Sequence, residues 1–256
     1  MTRRRIRVLG TLVVTSLAVA YVISKVDLST TLNTIRNASI PWLVLSAVLT
    51  LVTVPPMAWR WKRLLAVRGV KESVPWLTRT YFVSYAVGQV LPTSVGGDAS
   101  RIFETSRRHP GQITPITGSV RLETPARAVY DGLHGYRDHP GALLVVALVT
   151  AAAQLTRVLA IYASGRAVGI DLPVLPYVVL GPLLFLVMLV PFTINGIGVR
   201  EAFFVSFLGN LGVDHDSAFA CGFLFFVMTI LLALPGVLIV VWENVFGRTP
   251  VPDGTA

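Results

Sequence analysis

Five stretches of this chain are apolar for long enough to cross the hydrocarbon core of a bilayer, and no other feature limits its fold as strongly. They lie at 8–24, 41–58, 142–165, 174–193 and 217–242, and a crossing helix needs about 20 residues. Backbone polar groups find no water inside hydrocarbon, so such segments must satisfy themselves as helices. A sixth run, 76–91, is shorter and carries Arg79, Gly88 and Gln89, which predicts a half-length or re-entrant segment. The expected fold is all-α: a polytopic helical membrane protein with about five to six spans plus re-entrant or broken helices.

Only 14% of the residues are charged, against about one quarter in an average soluble domain. The net charge of +9 comes from clusters beside the apolar runs: Arg3, Arg4, Arg5 and Arg7 before the first, then Arg60, Lys62, Arg63, Arg68 and Lys71 after the second. Charge placed there follows the positive-inside rule, so it points to membrane lipids as partners and not to nucleic acid. On that rule the chain is a multi-pass protein of the cell membrane whose N-terminus is cytoplasmic. Ala18-Val19-Ala20 resembles a signal-peptidase site, but further spans downstream favour an uncleaved anchor helix. Pro55-Pro56 followed by Trp59-Arg60-Trp61-Lys62-Arg63 suggests that the second span ends there, with rings and cations at the interface. The integral membrane domain is expected over 1–245, with a disordered proline-rich tail over 246–256.

Two breaks interrupt this pattern. LPTSVGGDASR, at 91–101, and VPFTINGIGVREAFF, at 190–204, each set a proline, two glycines, an acid and an arginine beside long apolar stretches. Proline removes a donor and glycine permits unusual dihedrals, so each break should end one helix and start another. The new helix then turns its N-terminal amides toward the gap, where an anion is favoured. Asp98 and Arg101 are three apart on one helical face, whereas Arg200 and Glu201 are adjacent on different faces. Gln154 and Arg157 add a polar pair to the middle of another apolar helix, and an intramembrane arginine requires a carboxylate, a phosphate or a wet cavity. Paired Gly/Pro interruptions in two halves point to the binding site of a repeat-built transporter and are compatible with an inverted repeat. The expectation is that two broken helices form one phosphate site, with Arg101, Arg157 and Arg200 sharing the charge and Asp98 and Glu201 orienting them.

Other chemistry is thin. His109, His134, His139 and His215 lack partners at metal-site spacing, so no metal is expected. Ser94 and Ser100 have no neighbouring histidine, and the glycines do not make a dinucleotide fingerprint, so no cofactor is expected either. Cys221 is the single cysteine and lies in an apolar run, so no disulfide framework exists. Asp216 or Ser217 is the expected cap of the last helix, and Asp27 begins a helix-start pattern.

The stretches WRWKRLL at 59–65, LPTSVGGDASRIFE at 91–104, GSVRLE at 118–123, QLTRVLAIYASGRAVGI at 154–170 and PFTINGIGVREAFF at 191–204 resemble the flippase-like membrane domain family. That family comprises the transmembrane region of lysylphosphatidylglycerol synthases and stand-alone relatives. The resemblance implies a protein that flips an anionic lipid, such as an aminoacylated phospholipid or a polyprenyl-phosphate-linked glycan. Its marked positions fall on Gly96, Gly97, Asp98, Arg101, Gly196, Gly198, Arg200 and Glu201, beside which Gln154, Arg157 and Asn195 complete the candidate lipid-phosphate site. Aminoacyl transfer in such enzymes belongs to a separate soluble domain, so the resemblance implies no enzyme here. After GSVRLE the family continues apolar, whereas this chain has TPARAVYDGLHGYRDHP. That departure implies one membrane segment fewer and leaves room for a homo-oligomer or a partner membrane protein. Its alternatives are an accessory lipid-binding subunit and an intramembrane lipid-phosphate enzyme.

Overall fold

The structure is a computed structural model and describes residues 16, 20–67, 69–90, 96–109, 140–188, 196 and 198–245. The expectations for most of the 8–24 span, for the polar stretch 110–139, for Asn195 and for the tail 246–256 concern residues outside this set. The described residues form nine helices and no strand: α1 (Leu28–Arg36), α2 (Ile40–Val52), α3 (Val54–Val67), α4 (Val74–Val90), α5 (Gly96–Arg108), α6 (Pro140–Ala167), α7 (Val174–Met188), α8 (Val199–Gly209) and α9 (His215–Val245). A further helical stretch covers 20–25. The all-α membrane class is therefore correct. Three helical units are long and apolar enough to span, Ile40–Val67, Pro140–Ala167 and His215–Glu243, and Val174–Met188 is a shorter apolar helix.

Local rules set the boundaries. Asp27 caps α1 by accepting from the Ser29 and Thr30 N–H groups, and these bonds, led by one from the Ser29 hydroxyl, hold its carboxyl below the usual range. At α9 the cap is Asp214, whose Oδ2 accepts from the Asp216 and Ser217 N–H groups, so the helix starts before the residues expected to cap it. Pro55 and Pro56 do not end the second span. They occupy the first turn of α3, where their missing N–H groups cost nothing, and helix continues to Val67.

Hydrogen bonds fix how these helices run. Ser39 N–H donates to the Ala167 carbonyl at 2.8 Å, the Ser46 hydroxyl to the Ala160 carbonyl at 2.9 Å and Arg60 Nη1 to Thr150 Oγ1 at 2.8 Å. As numbers rise along α2–α3 they fall along α6, so the two units are antiparallel. The next connections match: Gly69 (φ 77°) and Gly169 (φ 83°) take the left-handed conformation, and Val70 and Ile170 donate to the Leu65 and Gly165 carbonyls, both at 3.0 Å. This is a Schellman ending, which needs a residue free of Cβ strain. Each is followed by a helix, a break and a second helix, α4–α5 in one half and α7–α8 in the other. The same order on antiparallel carriers makes an inverted repeat.

The first broken pair is a re-entrant hairpin. Ser84 Oγ donates to the Gly97 carbonyl at 2.6 Å, Arg79 Nη1 meets Glu104 Oε1 at 2.5 Å and Arg108 Nε meets Glu72 Oε1 at 2.6 Å, so α5 returns along α4 to the Val67 end. A Cβ on Gly97 would lie 2.7 Å from the Ser84 carbonyl oxygen, which explains why the turnback needs a glycine. The α4 helix also runs antiparallel to α9, which its C-terminal half joins through Gln89 Nε2 and the Thr229 carbonyl at 3.3 Å.

Two apolar clusters match the two halves. One gathers Val54, Ala58, Leu65, Leu77, Tyr81 and Leu232, and the other Ile161, Tyr177, Leu180, Phe204, Leu208 and Cys221. Leu144, Leu148 and Leu155 of α6 and Leu238 and Val241 of α9 face outward, as lipid-facing helix surfaces must.

Candidate functional site

The packing of α3, α4, α5 and α6 turns three arginines toward two tyrosines. On α3 the helical period that buries Ala58 and Leu65 carries Trp61 inward with them, and Arg60 reaches across to Thr150 on α6. Arg101 is 9% exposed. Its guanidinium carbon stands 4.0 Å from the Tyr81 ring centre and 5.2 Å from that of Trp61, and its Nη2 meets Asp98 Oδ1 at 2.7 Å. Tyr81 and Tyr85 are 6.2 Å apart, centre to centre. Arg157 donates to the Tyr85 hydroxyl at 3.1 Å and to Gln154 Oε1 at 3.2 Å.

The cluster has more donors than acceptors. Arg60 Nε, Trp61 Nε1, Arg101 Nε and the Tyr81 hydroxyl are buried without a hydrogen-bond partner; Arg60 approaches that hydroxyl, but the pair does not reach hydrogen-bond geometry. Buried polar groups are nearly always paired, so four orphans side by side require an explanation. Among the described residues only Arg101 of the three has a carboxylate partner, Asp98, which is largely exposed. Such a set is complementary to an oxyanion with several acceptor lone pairs. Guanidiniums stay protonated and cannot accept protons, so the chemistry available is binding and charge stabilisation.

The second break is arranged differently. Arg200 is 1% exposed, and its Nε and Nη2 donate to Glu201 Oε1 at 2.9 and 2.5 Å. Glu201 Oε2 in turn accepts from the Gly198 N–H at 2.7 Å, and Gly198 has φ 82°. Neighbours project to different faces within a helix, but at its first turn Glu201 bends back over the N-terminus and Arg200 follows it. The pair is closed on itself and covered by the Phe226 ring, 4.5 Å from the guanidinium. Among the described residues no hydrogen bond or ion pair links Arg200 or Glu201 to Arg101 or Arg157. Gly196 is buried against Met188, Gly97 sits in the first hairpin and Gly96 opens α5.

The two breaks nevertheless approach one level of α9. Gln89, at the end of α4, reaches Thr229, and Arg200, at the start of α8, covers Phe226, three residues away. The α4–α5 hairpin enters from the Val67 end and α8 lies toward the Ala167 end, so Gln89 and Arg200 reach the same level near the middle of the 31-residue α9.

Arg60, Trp61, Tyr81, Tyr85 and Thr150 were not among the expected site residues. A 3.6-residue period carried past Pro56 would have turned Trp61 inward, but nothing in the sequence pairs Arg60 with Thr150, 90 residues away. Among the described residues no group of three His, Cys, Asp or Glu could hold a metal.

The family model described as the lysylphosphatidylglycerol synthase TM region matches residues 7–130 and 119–236. No curated protein and no solved structure matches.

Proposed function

Because this chain belongs to the lysylphosphatidylglycerol synthase transmembrane-region family, which its residues 7–236 match, we propose that it moves an anionic lipid between the leaflets of a membrane. The observation that carries this reading is the set of orphaned donors on Arg60, Trp61, Tyr81 and Arg101. A lipid phosphate would fill them, and burial away from water would strengthen each bond. Arg101 and Asp98 lie on the returning arm of the hairpin, Arg60 on α3 and Arg157 on α6. Thr150, the partner of Arg60, and Arg157 are seven residues apart on α6, about 10 Å at 1.5 Å per residue, so a phosphate leaving Arg60 and Arg101 toward mid-membrane would next meet Arg157. Rocking of one half of the repeat against the other would expose the headgroup alternately. The proposal is of a carrier and not an enzyme, since binding groups alone suffice for it. Arg200 and Glu201 hold the second break in shape and do not touch the lipid.

The test is a translocation assay in liposomes with fluorescent phospholipid and polyprenyl-phosphate probes. The intact protein accelerates probe movement, and Arg101→Gln lowers that acceleration by about tenfold or more while the protein stays inserted and folded. Absence of movement for every probe would leave lipid binding without transport, as in an accessory subunit, and would refute the carrier reading.

A further inference from the structure

A second polar site lies at the Val67 end, apart from the arginine–tyrosine cluster. It is a cavity of about 700 Å3 whose walls include Lys62, Lys71, Glu72, Ser73, Arg108 and His109. It opens where α3 ends and α4 begins, so it sits at the boundary of the span Ile40–Val67.

Its arginine is held in place before any ligand arrives. Arg108 lies over the Trp76 ring, with 4.7 Å from guanidinium carbon to ring centre, and Glu72 Oε1 takes its Nε at 2.6 Å. The same carboxylate oxygen meets His109 Nε2 at 2.9 Å, and Oε2 accepts from the Ser73 N–H at 3.2 Å. Glu72 has 5% of its side chain exposed, so the carboxylate is used internally. Fixed beneath by a ring and at one edge by a carboxylate, Arg108 keeps its Nη groups for something else. Lys62 and Lys71 line the same cavity, and among the described residues neither has an ion-pair partner.

Three cations against one carboxylate leave two positive charges, before His109 is counted. A phosphomonoester carries about −1.5 to −2 at neutral pH and three acceptor oxygens, whereas a phosphodiester carries one charge. The fork of an oriented arginine suits two of those oxygens, and the lysines act as point charges on the remainder. We propose that this cavity binds a phosphomonoester at the membrane surface, either a monophosphate lipid headgroup or a free phosphate. The proposal rests on the lipid-carrier reading only for the lipid source, because the cavity and its charge stand without transport.

The measurement is calorimetric titration of the detergent-solubilised protein with dihexanoyl phosphatidic acid, dihexanoyl phosphatidylglycerol and inorganic phosphate. Phosphatidic acid should bind more tightly than phosphatidylglycerol. The double variant Lys62→Gln/Lys71→Gln should weaken it by about tenfold or more, while Lys62→Arg/Lys71→Arg restores it and Arg166→Gln, at a residue paired with Asp171 at the Ala167 end, leaves it unchanged. Inorganic phosphate binding as tightly as phosphatidic acid would assign the site to the free anion, and weaker binding to the lipid headgroup. Undiminished binding by the Gln double variant, or equal loss in Arg166→Gln, would overturn the proposal by moving the ligand elsewhere. A variant set in which Arg101→Gln slows translocation and the cavity binds nothing removes this site alone and leaves the carrier reading intact.

Discussion

The Arg101 guanidinium lies over the face of Tyr81 at 4.0 Å from the ring centre, with Asp98 on one edge and its Nε buried without a partner. A cation so oriented has one edge left for an incoming acceptor. Arg101→Gln should lower translocation roughly tenfold or more, the equivalent of a charge-assisted hydrogen bond of about 1.5–3 kcal/mol. Arg101→Lys should recover little, because a point charge cannot present the fork. Wild-type rates in the Gln variant would exclude Arg101 from the lipid path.

Arg157 and Tyr85 act as one unit through a 3.1 Å bond. Tyr85→Phe removes the acceptor but keeps the ring, so translocation should fall severalfold with thermal stability almost unchanged. Adding Arg157→Gln to Tyr85→Phe should cost less than the separate effects predict, since contacting residues do not add. Additive losses in that cycle would count against a shared role.

Glu201 is needed for a different reason. Removing its charge leaves Arg200 buried at 1% exposure with no full counter-charge. Glu201→Gln should destabilise the protein by about 3–5 kcal/mol, and Arg200→Met/Glu201→Leu should recover much of that loss. Thermal unfolding in detergent would settle it. A double variant that is stable yet inactive would show that the pair serves transport as well as shape.

Helix contacts at glycine give a steric test. A Cβ on Gly97 would meet the Ser84 carbonyl oxygen at 2.7 Å, and one on Gly236 would collide with the Phe82 carbonyl, whereas a Cβ on Gly141 meets nothing within 4 Å. Gly97→Ala and Gly236→Ala should each cost about 1–3 kcal/mol by overpacking, Gly236→Ala the more. Gly141→Ala should be neutral or slightly stabilising. Equal melting temperatures for all three would contradict the close approach of α4 to α5 and α9.

Much of the architecture was legible in the letters. Apolar runs announced the long helices, and the polar content of 76–91 announced a segment that enters and returns, because each is a one-dimensional consequence of placing backbone and charge in hydrocarbon. Local capping was mostly legible too, as Asp27 shows. At Pro55-Pro56 the same reasoning stopped too early: proline breaks a helix interior but fits a first turn, and only the neighbouring packing decided which of these applied.

The candidate site divides along the same line. Sequence marked Asp98, Arg101, Gln154 and Arg157 as polar residues that hydrocarbon would not tolerate unpaired, and it marked Arg200 and Glu201 on equal terms. The two arginines then meet different fates. Arg200 finds a carboxylate one residue away and is closed off, while Arg101 finds aromatic faces and one largely exposed acid. Sequence determined that charge would be carried into the membrane, and at which two breaks. Tertiary structure alone decided which charge stays available, because pairing depends on distances between helices as far apart in the chain as Arg79 and Glu243, 164 residues, and spacing along one helix holds no information about its neighbours.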